Sequence, residues 1–195
     1  MGVSPLTPGN RAVFLDRDGV VNDAIVRDGK PFPPGNLSEL VINPDAIIGL
    51  PLLKSLGFLL LVVTNQPDVG RGTTSLDAVL EIHDAIRTKL PIDDFFVCCH
   101  DDREQCDCRK PMPGLLLRAA EQYGIRLDDS FLIGDRWRDI DAGYLAGVKT
   151  ALIDYGYRER GPDHEPDIRV KSLLKAVQWI TTPPMLTNPY GKCRH

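Results

Sequence analysis

The sequence lacks any apolar stretch long enough to cross a bilayer: its longest runs, such as 58–63, cover a few residues where a transmembrane helix needs about 20. Its first residues show no charged segment followed by an apolar one, which is the pattern of a secretory signal. Basic residues are not in excess, since the formal net charge is -4. These absences argue against a membrane or nucleic-acid partner, and we expect a cytoplasmic protein, and a monomer.

Internal repeats and low-complexity segments are also missing, and 195 residues are enough for one compact domain but few for two. Residues 1–10 contain prolines and a glycine without a periodic pattern, and we expect a flexible lead-in there. We predict a single domain over residues 11–180 and a flexible tail over residues 181–195.

Short apolar runs alternate with helical patterns along this domain. Such alternation predicts an α/β protein in which a parallel, Rossmann-like sheet is covered by helices on both faces, giving three layers. We predict strands at 12–15, 58–63, 95–97, 130–133 and 150–153, and helices at about 44–56, 75–89, 113–123, 140–146 and 173–180. In the first helix, where Pro51 is expected to cause a kink, the predicted core positions are Ile47, Ile48, Leu52, Leu53 and Leu56.

The segment Asp16-Arg17-Asp18-Gly19 follows the first predicted strand. Residues two apart on an extended chain point the same way, so the two carboxylates face one cleft while Gly19 permits a sharp turn. Clustered carboxylates attract a divalent cation, and Mg²⁺ favours hard oxygen ligands. Taken alone, the segment is also typical of a surface turn. Its position at the carboxyl end of a strand, where open parallel sheets bind ligands, favours a functional site.

Four of the five cysteines lie within residues 98–108, and this clustering favours a metal over disulfides in a cytosolic chain. A tetrahedral zinc site needs four such ligands, and we predict Cys98, His100, Cys106 and Cys108. A register that uses Cys99 stays open. Four protein ligands leave no position for water, so we expect a structural zinc. Cys193, alone in the tail, is expected to be incidental.

Four motifs resemble the haloacid dehalogenase (HAD) superfamily, and within it the small capless phosphatases that act on heptose bisphosphate and histidinol phosphate. In chain order they are Asp16-Arg17-Asp18-Gly19, Val63-Thr64-Asn65-Gln66, Arg109-Lys110-Pro111 and Gly134-Asp135-Arg136. The resemblance covers about residues 11–155. It includes a similar cysteine loop, in which Cys99 stands where the family usually has proline. It implies the HAD fold without a large cap domain, a catalytic Mg²⁺ and a structural Zn²⁺.

The resemblance also implies a role for each motif. Asp16 attacks phosphorus to form an aspartyl phosphate, and Asp18 protonates the leaving alcohol and later takes a proton from water. Lys110 supplies positive charge to the phosphoryl oxygens, and Thr64 hydrogen-bonds them. The expected catalytic set is Asp16, Asp18, Thr64, Asn65 and Lys110, and the expected magnesium ligands are Asp16, Asp18 through its backbone carbonyl, and Asp135.

Substrate contacts are expected outside these motifs as well. Arg71, in the glycine-rich loop after the second motif, and Arg109 are candidates to bind a second anionic group, and Asn22 is a further candidate substrate residue. Four other residues are expected outside the chemistry: Asp139 and Asp141 as surface or N-terminal helix charges, and His83 and His164 as structural or exposed side chains.

The implied function is hydrolysis of a small phosphorylated sugar, with the 7-phosphate of D-glycero-D-manno-heptose 1,7-bisphosphate as the first candidate. Histidinol-phosphate phosphatase is the alternative, because members of that family share the motifs and a similar zinc loop. A non-catalytic binding module that keeps the HAD fold and the zinc loop is a third hypothesis. The intact carboxylates and lysine of the motifs argue against it.

Overall fold

The computed structural model describes residues 9–182. Residues 1–8 and 183–195, which contain most of the predicted lead-in and tail, lie outside this range. The strands are β1 (Ala12–Leu15), β2 (Ile25–Arg27), β3 (Lys30–Phe32), β4 (Leu59–Asn65), β5 (Asp94–Cys98), β6 (Phe131–Gly134), β7 (Lys149–Ile153) and β8 (Ile168–Val170). The helices are α1 (Pro44–Ser55), α2 (Pro67–Gly70), α3 (Leu76–Arg87), α4 (Gly114–Tyr123), α5 (Trp137–Ala146) and α6 (Leu173–Thr181).

Six parallel strands form the main sheet, in the order β5-β4-β1-β6-β7-β8. The predicted parallel sheet is confirmed, and β8 extends it by one strand at the edge. In the centre, β1 lies between β4 and β6, with Leu15 opposite Val62 and Ile133. The carboxyl ends of three neighbouring strands therefore meet at one edge of the sheet.

Helices cover both faces of the sheet, which confirms the three layers. Successive side chains of β1 alternate between the faces, so that Val13 and Leu15 join one buried cluster while Ala12 and Phe14 join the other. The first cluster includes residues of α1, α3 and α6, and the second includes residues of α4 and α5. Within the described residues, no helix combines the length and apolar character that crossing a membrane requires.

The predicted core positions of α1 are wrong apart from Leu53. The exposed fractions are 54% for Ile47, 64% for Ile48, 48% for Leu52 and 45% for Leu56. The buried stripe of α1 instead comprises Ala46, Gly49, Leu50 and Leu53. Gly49 brings α6 close, since an added Cβ would lie 2.9 Å from Val177 Cγ2. Because α1 is apolar on all sides, its hydrophobic pattern could not identify the buried face.

A small antiparallel hairpin, β2 with β3, stands apart from the main sheet. Its two-residue turn is Asp28-Gly29, with φ of 51° and 75°. Positive φ at both turn positions is the geometry that Asp-Gly favours in hairpins. The residues after this turn, Lys30 to Pro33, reach the cleft described below.

Candidate active site

The predicted catalytic residues lie where neighbouring strands end. Asp16 follows β1, Thr64 lies near the end of β4, and Asp135 follows β6. Because β4, β1 and β6 are adjacent and parallel, their ends deliver these side chains to one edge. Lys110 reaches the same point from the loop before α4, and its Nζ donates to Asp16 Oδ1 at 2.7 Å.

The charged amine of Lys110 is buried, and three hydrogen-bond acceptors surround it. Besides Asp16, the Nζ donates to Asp139 Oδ1 at 2.5 Å and to the Val63 carbonyl at 2.8 Å. Burial opposes the charged form, but the carboxylates of Asp139 and Asp16 outweigh it and raise the pKa of Lys110. The lysine is therefore held as a cation beside Asp16.

The expectation that Asp139 and Asp141 are surface or N-terminal helix charges is wrong in placing them at the surface. Both are buried, because the first turns of α5 pack against the site and the following loop. Asp139 Oδ2 accepts from the Arg136 backbone N–H at 3.1 Å, so this residue does serve the helix N-terminus. Asp141 Oδ1 accepts from the backbone N–H groups of Asp163 and His164.

Three carboxylates converge at the strand ends: one oxygen from each of Asp16, Asp135 and Asp139 lies within 4.8 Å of the others. Both oxygens of Asp139 are occupied, by Lys110 and by the Arg136 N–H. Neither oxygen of Asp135 has a hydrogen-bond partner among residues 9–182, although both are buried. Burial of this kind is costly unless a partner or a metal is present.

The electrostatics also favour a cation at this point. Burial raises the pKa of Asp16 to about 6, while the Lys110 charge acts in the opposite direction. Burial, followed by the charges of Asp16 and Asp139, raises the pKa of Asp135 well above its ordinary value. Hard oxygen donors with free lone pairs fit Mg²⁺, so Asp16 and Asp135 suit the magnesium site that the sequence predicts. The Asp18 side chain lies outside this cluster, and a ligand role for its backbone carbonyl stays a prediction.

Gly19 closes the turn beneath these carboxylates. Its φ is 95°, a value that residues with a Cβ rarely adopt, and an added Cβ would overlap Asp135 Oδ2. The Gly19 carbonyl accepts a hydrogen bond from the Tyr155 hydroxyl at 3.0 Å. The glycine thus lets the chain pass directly against Asp135.

The carboxylate of Asp18 receives four hydrogen bonds. Its Oδ1 accepts from Arg17 Nε at 3.0 Å and Asn22 Nδ2 at 3.1 Å. Its Oδ2 accepts from Arg17 Nη2 at 3.1 Å and Gln66 Nε2 at 2.9 Å. The expectation that Asn22 contacts substrate is wrong. Asn22 is completely buried, and its amide donates to Asp18 instead of lining the cleft.

Residues of the second motif fix the neighbouring loops. Asn65 makes a reciprocal pair with the Lys110 backbone, since its Nδ2 donates to the Lys110 carbonyl and its Oδ1 accepts from the Lys110 N–H, both at 3.0 Å. Thr64 Oγ1 accepts from Gln66 Nε2 at 2.9 Å. The strand end and the Lys110 loop are therefore bound to each other through side chain and backbone.

A cleft of about 270 Å³ opens above Asp16 and Asp18. Arginines line its wall, and Asp102 binds three of them: Arg71 at 3.0 Å, Arg109 at 2.7 Å and Arg138 at 3.2 Å. The predicted candidates Arg71 and Arg109 thus lie at the cleft. Arg138 was missed in the sequence, since a single arginine on a helix carries no signal. Its buried Nε has no hydrogen-bond partner among the described residues.

The four predicted zinc ligands lie together. One atom from each of Cys98, His100, Cys106 and Cys108 lies within 4.8 Å of the others, and Cys99 is not among them. His100 Nδ1 lies 3.5 Å from Cys98 Sγ and 3.1 Å from Cys108 Sγ. Three sulfur donors and one nitrogen donor around one point match the ligand chemistry of a closed tetrahedral metal site. This cluster can therefore hold a metal ion in the loop that carries Asp102.

The sheet, the strand-end carboxylates and the buried lysine define the class, a HAD-like hydrolase. A family model described as HAD-hydrolase-like matches residues 107–176. The solved D,D-heptose 1,7-bisphosphate phosphatase of B. bronchiseptica, complexed with magnesium and phosphate, has a TM-score of 0.71 to this structure. That match is 25% identical in sequence and covers 87% of this chain and 97% of the other.

Two relatives cover most of the chain at higher identity. The D-glycero-beta-D-manno-heptose-1,7-bisphosphate 7-phosphatase of Helicobacter pylori (strain J99) is 33% identical over 183 residues, which are 88% of this chain and 97% of the relative. The D-glycero-alpha-D-manno-heptose-1,7-bisphosphate 7-phosphatase of Burkholderia mallei is 38% identical over 157 residues, 74% of this chain and 79% of the relative. The chain belongs to this family of HAD phosphatases, which confirms the resemblance found in the sequence.

Proposed function

We propose that this phosphatase hydrolyses a phosphomonoester through an aspartyl phosphate on Asp16, with Mg²⁺ bound at Asp16 and Asp135. The observation that carries the proposal is the pair of buried carboxylates, one held by Lys110 and the other without a partner. An anionic phosphoryl group needs countercharge at the point where it is transferred. Lys110 supplies one charge, and a magnesium ion would supply the rest by screening the carboxylates from the phosphate.

Asp16 and Asp18 divide the chemistry between them. An oxygen of Asp16 forms a bond to phosphorus while the bond from phosphorus to the ester oxygen breaks, and Asp18 gives its proton to that oxygen. A water molecule then attacks the phosphorus of the aspartyl phosphate, Asp18 accepts a proton from the water, and the bond to Asp16 breaks. Two displacements at phosphorus replace one direct attack by water.

The substrate we propose is D-glycero-D-manno-heptose 1,7-bisphosphate, from which the 7-phosphate is removed. The proposal rests on the activity named for the relatives and on the arginines that line the same cleft as Asp16, which offer a binding place to a second anionic group. Arg109 and Arg138 converge on Asp102, so their guanidinium groups already point toward a single anion. Binding energy from a remote phosphate can orient the reacting one.

We also propose that the cysteine cluster binds a structural Zn²⁺, and that the protein acts as a cytoplasmic monomer. Four protein ligands would close the zinc coordination sphere, which leaves no place for a catalytic water. The ion would fold the loop that brings Asp102, Arg109 and Lys110 to the cleft.

The nucleophile is tested by Asp16→Asn in the magnesium-loaded enzyme. Turnover should fall to below about a thousandth of wild type, while the protein stays folded by circular dichroism. The matched control is Asp129→Asn, which removes a surface carboxylate paired with Arg126 and should leave activity unchanged. A folded Asp16→Asn protein with substantial magnesium-dependent activity would rule out Asp16 as nucleophile.

The substrate is tested by Arg109→Ala and Arg138→Ala with heptose 1,7-bisphosphate and a heptose monophosphate. For the bisphosphate, kcat/KM should fall about ten- to a hundredfold, the loss expected for one charge-assisted contact of about 1.5 to 3 kcal/mol. The monophosphate should be affected much less. Arg126→Ala, on the surface away from the cleft, is the control. Equal losses for both substrates would contradict a second phosphate at these arginines.

A further inference from the structure

Arg17, between the two catalytic aspartates, is a charged side chain with no exposed surface. A guanidinium in such a place needs partners for its N–H groups. Two of them, Nε and Nη2, donate to the two oxygens of Asp18 in a bidentate pair. The third contact runs from Nη1 to His83 Nε2 at 3.2 Å. Among the described residues, these are the hydrogen-bond partners of the Arg17 guanidinium.

His83 comes from α3, 66 residues later in the sequence, and is itself buried. An arginine has only protons to donate, so His83 Nε2 accepts and the ring carries its proton on Nδ1. The ring stacks on Phe95 of β5, with centroids 4.3 Å apart and planes 16° from parallel. Burial, and then the Arg17 charge, lower the pKa of His83 to about 3, which agrees with a neutral acceptor.

The contacts of Arg17 and His83 hold the Asp18 carboxyl group from the buried side, away from the cleft. The guanidinium of Arg17 is planar and rigid. Because His83 holds one of its nitrogens, the two nitrogens that donate to the oxygens of Asp18 can move little. Asp18 still lines the cleft, where the ester oxygen of a substrate would lie. A general acid contributes only when its proton is within hydrogen-bond reach of the departing oxygen.

We propose that His83 is a positioning residue that acts through Arg17 to hold Asp18 in line with the leaving group. The inference rests on the proposed function, in which Asp18 protonates that group. An alkoxide leaving group needs this proton, whereas a nitrophenolate departs without one. The effect of His83 should therefore depend on the leaving group, which a purely structural role would not produce.

The experiment compares His83→Phe and His83→Gln in the magnesium-loaded enzyme, with heptose 1,7-bisphosphate and p-nitrophenyl phosphate as substrates. His83→Phe keeps an aromatic ring on Phe95 but removes the acceptor for Arg17, and His83→Gln supplies a carbonyl acceptor in its place. We expect kcat/KM for the sugar phosphate, which reports departure of the leaving group and not the later attack of water, to fall about ten- to a hundredfold in His83→Phe, at or below the lower end of the roughly 10²- to 10⁴-fold that a general acid contributes. For p-nitrophenyl phosphate the loss should stay below about threefold, and His83→Gln should recover most of the sugar-phosphate rate.

Asp18→Asn, assayed in parallel, separates the inference from the function on which it rests. Suppose that Asp18→Asn slows hydrolysis of the sugar phosphate far more than that of the nitrophenyl ester. If both His83 variants then lower the rates for the two substrates equally, or not at all, the inference fails and the proposed function stands. If kcat/KM of Asp18→Asn shows no dependence on the leaving group, the proposed role of Asp18 as general acid fails first. If His83→Phe does not fold, the sugar-phosphate to nitrophenyl ratio of Arg17→Lys, which loses the bidentate contact with Asp18, decides: an unchanged ratio overturns the inference.

Discussion

Gly19 turns the chain with a φ of 95° and leaves no room for a Cβ beside Asp135. In Gly19→Ala the methyl group displaces the Asp135 carboxylate and the backbone is strained, at a cost of roughly 1–2 kcal/mol or more in stability. If Asp135 is a magnesium ligand, half-maximal activity should require at least about tenfold more Mg²⁺. A magnesium titration of activity, with urea unfolding of the same protein, measures both effects.

The control for this substitution is Gly57→Ala, at a glycine with a φ of 82° and no atom within 4 Å of an added Cβ. Its backbone strain is comparable, so its stability should fall by a similar amount, but its magnesium requirement should equal that of wild type. A Gly19→Ala enzyme with a normal magnesium titration would argue against Asp135 as a ligand.

His83 makes stability depend on pH in a defined direction. The pKa of His83 is about 3 in the folded protein and 6.5 is its ordinary value, so the unfolded chain binds the extra proton first. The free energy of unfolding should therefore fall as pH decreases from about 6.5 toward 3, by up to about 2 kcal/mol between pH 7 and pH 5. His83→Gln, which cannot titrate, should lose that part of the dependence.

Urea unfolding of wild type and His83→Gln at pH 7 and pH 5 measures this difference, because carboxylates that titrate in both proteins cancel. The wild-type protein should lose more stability than the variant on acidification. Parallel losses in the two proteins would show that His83 is not the buried neutral histidine that the structure contains.

The cysteine loop is an element whose order we expect to depend on its metal. Cys106→Ser removes one of four donors, so the purified protein should hold well below one zinc per chain and the loop should open. Because Asp102 lies in this loop, activity toward heptose 1,7-bisphosphate should fall as well. Elemental analysis and limited proteolysis within residues 99–109 report the two changes.

Cys99→Ser is the matched substitution, since Cys99 neighbours the cluster without contributing a donor to it. It should keep about one zinc per chain and full activity. Loss of zinc in Cys99→Ser together with its retention in Cys98→Ser would mean that the loop binds metal in the other register.

Elements differ in how far the sequence determines them. The runs that became β1, β4 and β6 were recognisable because a buried parallel strand is apolar without interruption. The buried face of α1 was not, since only the approach of α6 to Gly49 selects it. The β2–β3 hairpin was missed although Asp28-Gly29 signals its turn, because three-residue strands show no alternation.

At the scale of the whole molecule, the order of parallel strands determines which part of the site can be predicted. Asp16, Thr64 and Asp135 follow from their positions at strand ends, and the cysteine cluster follows from its spacing. The contacts of Lys110 with Asp139 and of Arg17 with His83 join segments 29 and 66 residues apart. No local pattern encodes such pairs, because tertiary packing alone brings them together.

The cleft lining has a consequence for how substrate and metal bind. Six lysines and arginines and six carboxylates line it, so without metal its charges balance. A cleft with balanced charges would then exert almost no net electrostatic attraction on a bisphosphate, which carries several negative charges. Binding of a divalent cation would make the cleft positive, so the order of binding should be metal first. The rate of substrate association, measured by stopped flow, should rise with Mg²⁺ concentration and become sensitive to ionic strength only once metal is bound.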